Sequence, residues 1–170
     1  LEIWEAVYRH QPRLKLGNAA RQAIAAAHEI VAKAVTSGAA VYGINTGFGR
    51  LAGNVIPADA VNELQRNVVL SHAIGSGPAL SAGETRLVLA MKIASLAQGH
   101  SGVRPELVEF MVTMFNLDLL PVIPSQGSVG ASGDLTPLAH VAAAMIGEGA
   151  IRVECQVLAA ADALSQAGLK

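Results

Sequence analysis

The chain is poor in the features that would place it outside a reducing compartment or against a membrane or nucleic acid. A single cysteine, Cys155, stands in 170 residues, which excludes an internal disulfide and fits a cytoplasmic setting. As a lone thiol it is expected to be buried. No charge of one sign dominates: 12 basic residues meet 13 acidic ones, for a net charge of -1. Neither nucleic acid nor an anionic membrane surface is therefore expected as a partner. Long apolar runs are missing too. Lys92 splits the run from Leu87 to Leu96, and Glu148 ends the one from Val141 to Gly147. No stretch reaches the ~18 residues that span a bilayer. The start carries Glu2 and Glu5 and no basic segment, so no signal peptide is expected. No lysine follows a glycine, which excludes a Walker-type phosphate loop.

Aromatics are scarce as well, at 4% against 52% hydrophobic residues, and the excess is alanine, valine and leucine. Such small side chains suit close helix packing. The pattern predicts a mostly α fold with at most short strands. A short helix runs from Leu1 to His10. A long one follows, capped by Asn18, with Ile24, Ala27, Val31 and Val35 on one stripe and Ser37-Gly38 as its stop. His28, off that stripe, is expected at the surface or in packing. Pro57 to Ile74 reads as a helix with Val61, Leu64 and Val68 inward. Ser81-x-x-Glu84 is a capping box for a helix to about Gly99. Pro105 opens another, to about Phe115. Leu119 to Pro124 is extended. Asp134 to Gly147 is helical, Ile151-Arg152-Val153 is a short strand, and Gln156 to Ala167 is a last helix.

Between these elements lie two glycine-rich loops. Val41 to Leu51 holds three glycines around Tyr42 and is expected as an ordered loop. On its own terms Tyr42 is a partly buried tyrosine with a satisfied hydroxyl, although such a loop can present it to a pocket. The second loop is Gln126-Gly127-Ser128-Val129-Gly130-Ala131-Ser132-Gly133, followed by Asp134 at a helix start. Its G-x-x-G-x-x-G spacing is not the dinucleotide-binding G-x-G-x-x-G. Taken alone, it cradles an anion on amide N–H groups or presents reactive backbone in the field of a helix N-terminus. His72, near the end of its helix, is by itself a histidine favoured by the helix dipole.

Three motifs in order carry a resemblance. Tyr42-Gly43-Ile44-Asn45-Thr46-Gly47-Phe48-Gly49, Gln65-Arg66-Asn67-Val68-Val69-Leu70-Ser71-His72-Ala73 and Gly130-Ala131-Ser132-Gly133-Asp134-Leu135-Thr136-Pro137-Leu138-Ala139 resemble those of the aromatic amino acid ammonia-lyases. The resemblance implies that Ala131-Ser132-Gly133 cyclises on itself. The Gly133 nitrogen attacks the Ala131 carbonyl, two waters leave, and Ser132 becomes a dehydroalanine. The product is a self-derived electrophile, 4-methylidene-imidazol-5-one (MIO), with no metal or nucleotide needed. It further implies Tyr42 as the base that takes the substrate's β-proton and His72 as a substrate-binding residue.

The Val-Leu-Ser-His-Ala context around His72 is most similar to the members that act on L-histidine, releasing urocanate and ammonia. Tyrosine, as a lyase or aminomutase substrate, is the alternative the resemblance leaves open. A reading of a different class is a non-catalytic helical oligomerisation module with an anion-binding glycine loop. The family's chains are longer, so residues 1–170 are expected to be an N-terminal portion that precedes the family's helical bundle. The family's carboxylate-binding arginine belongs to those later segments, and its pockets are built across a homotetramer. The piece alone is therefore expected to be inactive.

Overall fold

A computed structural model of the chain describes residues 1–38, 40–47, 49, 53–54, 56–57, 60–127, 133 and 135–169. Among them are seven helices and five short strands. The helices are α1 (Glu2–His10), α2 (Asn18–Thr36), α3 (Val61–His72), α4 (Ala82–Leu96), α5 (Pro105–Asn116), α6 (Leu135–Met145) and α7 (Ala160–Gln166). The strands are β1 (Ser76–Ala79), β2 (Leu120–Pro121), β3 (Pro124–Gln126), β4 (Ala150–Val153) and β5 (Gln156–Ala159). The mostly α expectation holds.

Helices α4 and α5 form the centre, and local chemistry starts each of them. Ser81 accepts a hydrogen bond from the Glu84 amide while the Glu84 carboxylate accepts one from the Ser81 amide, which satisfies two orphan donors at once. Pro105 sits in the first turn of α5, where its missing N–H costs nothing. Leu89, Ile93, Val108, Met111 and Phe115 pack between them, with Val7 of α1 and Ile24 of α2 closing the cluster. Burying each large side chain is worth roughly 1.5–3 kcal/mol. A second cluster centres on Met114 and Leu119 against Ile151 and the α7 residues Ala160, Ala163 and Leu164. The connector after α1 is tied across the centre: the Leu14 amide donates to Asn116 Oδ1 at 2.8 Å, and Asn116 Nδ2 donates to the Leu14 carbonyl at 2.9 Å.

Two antiparallel sheets finish the architecture. β2, β4 and β5 make one, in that order. β1 and β3 make the other, with Ser76 opposite Gln126 and Ala79 opposite Pro124. Five sequence expectations need correction. Asn18 does not cap α2; the cap position is Gly17, in extended conformation, and Asn18 is already helical with no cap bond. The α2 stripe buries Ile24 fully, while Val35 is exposed. α3 begins at Val61, because the Pro57 carbonyl is taken by the Ala60 amide in a turn that precedes the helix. Gln156–Ala159 is strand β5, held by the full β4 ladder, and the last helix starts only at Ala160. Cys155 is exposed, since it and Glu154, at φ 53°, form the two-residue turn of that hairpin.

Candidate active site

The end of α3 sets the site. His72 is half-buried in the last turn, and its Nδ1 lies 2.7 Å from the Val68 carbonyl and 3.2 Å from Ser71 Oγ. A carbonyl only accepts, so Nδ1 carries the proton in the neutral ring and Nε2 keeps a lone pair. After three residues the chain enters β1, whose Ser76 pairs with Gln126 at the end of β3. That register brings the His72 turn beside Gly127. Together Ser71, His72, Ile74, Ser76, Gln126, Gly127, Leu135 and Thr136 line a cleft of about 590 Å³. Its rim is apolar, with Ile74 73% and Leu135 52% exposed.

The glycines beside the cleft are there for close approach. A Cβ at Gly127 would lie 2.6 Å from Thr136 Cγ2, closer than real carbons come. A Cβ at Gly75 would meet His140 Nε2 at 3.0 Å, Pro124 Cβ at 3.1 Å and Thr136 Cγ2 at 3.2 Å. The Gly75 amide instead donates to His140 Nε2, 3.1 Å away. Burial pushes the His140 imidazole below its ordinary value, which favours the neutral ring that this bond requires. The sequence reading passed over His140. Its signal was present but non-local: His140 and Thr136 lie four apart, on one face of α6, and each meets a glycine from a different loop.

Of the expected site residues, His72 and Gly133 are among those described with the cleft or next to its lining helix. Gly133 has φ +101°, a backbone region that disfavours side chains, and no atom lies within 4 Å of a Cβ placed there. Its carbonyl accepts from the Leu135 amide at 3.2 Å, at the start of α6. The backbone angle thus favours glycine here, the residue type that the self-derived electrophile would need at this position. Ala131 and Ser132 lie outside the described residues, as does Asp134.

Tyr42 does not line the cleft. It sits in a turn-rich loop, as the sequence suggested, but is 62% exposed rather than partly buried. Its hydroxyl accepts from the Gly49 amide at 3.3 Å. The loop is ordered by Asn45 and Thr46, both buried. Asn45 Oδ1 accepts from the Val41 amide at 2.8 Å, and Thr46 Oγ1 from the Gly43 amide at 3.3 Å. His28 donates from Nδ1 to the Gly102 carbonyl at 3.2 Å, a structural rather than a chemical role.

A family model described as aromatic amino acid lyase matches residues 1–170. The chain belongs to the aromatic amino acid lyase family. It is 50% identical over 158 residues to a histidine ammonia-lyase of Paracidovorax citrulli, covering 93% of this chain and 31% of that protein. The crystal structure of histidine ammonia-lyase from Trypanosoma cruzi superposes with a TM-score of 0.90 at 34% identity, over 99% of this chain and 32% of that one. The tyrosine aminomutase of Streptomyces globisporus gives 0.92 at 31% identity, again over 99% and 32%. The chain spans about a third of the length of the curated relatives it matches. No described helix of this lyase-family chain is long and apolar enough to cross a membrane.

Proposed function

We propose that the chain is the N-terminal, triplet-bearing portion of a cytoplasmic carbon–nitrogen lyase that converts L-histidine to urocanate and ammonia. The observation that carries the substrate is the pinned His72. Its Nδ1 is held by the Val68 carbonyl, so Nε2 is free to accept a hydrogen bond from a polar ring in the cleft. An imidazole N–H supplies that donor and a phenyl ring does not, and a site built to make such a bond rejects analogues that lack it. A phenol also supplies it, and the close superposition on a tyrosine aminomutase favours tyrosine as the second reading. Assaying for a β-amino product separates the two chemistries.

In this reading Ala131, Ser132 and Gly133 form the MIO group, which supplies an electrophile that improves ammonia as a leaving group. The chain's own residues do the rest. His72 orients the ring, and the exposed Tyr42 takes the β-proton once the rest of a family-length chain, in a homotetramer, closes over its loop. General base catalysis of this kind contributes about 10²–10⁴-fold.

The test uses the full-length protein and follows urocanate in the ultraviolet. Ser132→Ala abolishes turnover and the loss of two waters from the intact mass, while the circular dichroism stays native. Near-native activity in Ser132→Ala sinks the electrophile assignment. Tyr42→Phe lowers kcat by roughly 10²–10⁴ with a smaller change in KM. A change confined to KM would make Tyr42 a binding residue instead.

A further inference from the structure

We propose that His140 is a positioning residue for the His72 cleft: its Nε2 holds the Gly75 amide and so fixes the His72-bearing turn against α6, the helix that follows the glycine loop. The inference rests on the lyase reading for what the cleft binds, but its structural half stands on geometry alone.

Three observations converge on it. First, α3 has no buried residue, so its C-terminal end is not held by a core of its own. Its half-buried side chains lie along α6, and the exposed Arg66–Glu148 ion pair adds little to that, since exposed pairs hold weakly, at roughly 0–1 kcal/mol. Second, the Gly75 amide reaches His140 Nε2 at 3.1 Å, three residues beyond His72. Third, one helical turn earlier on the same face, Thr136 packs where a Gly127 Cβ would fall. A single face of α6 therefore fixes both walls of the cleft, the His72 turn through His140 and the entry to the glycine loop through Thr136. A side chain at Gly75 would also meet Pro124 and Thr136, so the turn leaves room only for glycine.

The bond requires a neutral acceptor ring, and partial burial with a depressed imidazole pKa supplies it. Without the bond the turn loses its register and the ring-reading histidine loses its fixed place. The expected defect is in binding and discrimination more than in the chemical step.

The experiment uses the full-length protein with His140→Leu and His140→Gln, whose side-chain carbonyl can accept in place of Nε2. Hydrogen exchange of the peptide that contains Gly75 is read by mass spectrometry, beside KM and kcat for L-histidine. His140→Leu should speed exchange in that peptide and raise KM about tenfold, the loss of one hydrogen bond, with kcat within about threefold. His140→Gln should restore both. Unchanged exchange and KM in His140→Leu overturn the proposal, and so does a folded His140→Gln that behaves like His140→Leu. If His140→Leu does not fold, His140→Asn, polar but too short to reach the Gly75 amide, takes its place. If the wild-type enzyme releases no urocanate, the histidine reading fails by itself, and the exchange measurement alone decides the role of His140.

Discussion

Helices α3 and α5 are each 12 residues long, and they hold their places by different means. α5 buries Val108, Met111, Val112, Met114 and Phe115, contributing to both clusters of the core. α3 buries nothing: Val61, Leu64, Val68, Val69 and Leu70 are only half covered, mainly where it lies along α6. One helix is fixed by what it excludes from water. The other lies half covered along α6 and is tied beyond its end, where the Gly75 amide meets His140 and the chain enters β1. The proposed site residue, His72, belongs to the second kind. Ligand-binding elements are drawn from the less stable parts of a fold, and here the reason is concrete, since a helix sunk into the core could not offer its last turn to a cleft.

This contrast can be broken most forcefully on α5. Phe115→Ala should cost about 3–5 kcal/mol of stability, the range for emptying a fully buried aromatic site. Val68→Ala, half-buried on α3, should cost about 1 kcal/mol or less. Urea midpoints of the full-length protein measure both, and equal costs would erase the distinction between the two helices. The converse test is His72→Leu. It should leave the urea midpoint nearly unchanged yet shift the preference between histidine and phenylalanine by roughly 10–100-fold toward phenylalanine, as expected for removing one specific hydrogen bond from a cleft. A preference that does not move would give His72 the same packing role as its α5 counterparts.

The smallest expected effect is the dependence of α3 anchoring on pH. His140 has its pKa lowered in the folded chain by burial, against about 6.5 when unfolded. Above that unfolded value both states are neutral and stability is flat from this source. As pH falls below it the unfolded chain takes up the proton first, so stability declines, and the contribution is gone once the folded-state pKa has been passed. The thermal midpoint of the wild type should therefore fall more steeply with acidification than that of His140→Gln. Parallel curves would mean that His140 does not titrate with folding.

The same contrast explains what was legible in the sequence. The starts of α4 and α5 could be read because Ser81, Glu84 and Pro105 act within one turn of where they stand. The family motifs could be read because residue identity carries them. β1 was not anticipated, since Ser76–Ala79 becomes a strand through a partner at Pro124–Gln126 and has little strand character of its own. β5 was hidden by its alanine-rich continuation into α7 and is decided by the ladder with β4. His140 looked like one more helix residue because the amide it accepts from belongs to Gly75, 65 positions earlier. Composition favoured burial for Cys155, whereas a two-residue turn decided its exposure.

The reciprocal pair between Leu14 and Asn116 also sets a timetable for synthesis. The two residues are 102 positions apart. At roughly 5–20 residues per second on the ribosome, the first turns of the chain wait about 5–20 s for the partner that closes over them. During that interval Val7 and Leu16, later among the least accessible side chains, have no α5 to lie against. Until then the segment's own polar residues help to keep it in solution. Glu2, Glu5, Arg9, Arg13 and Lys15, spread among those apolar positions, supply them.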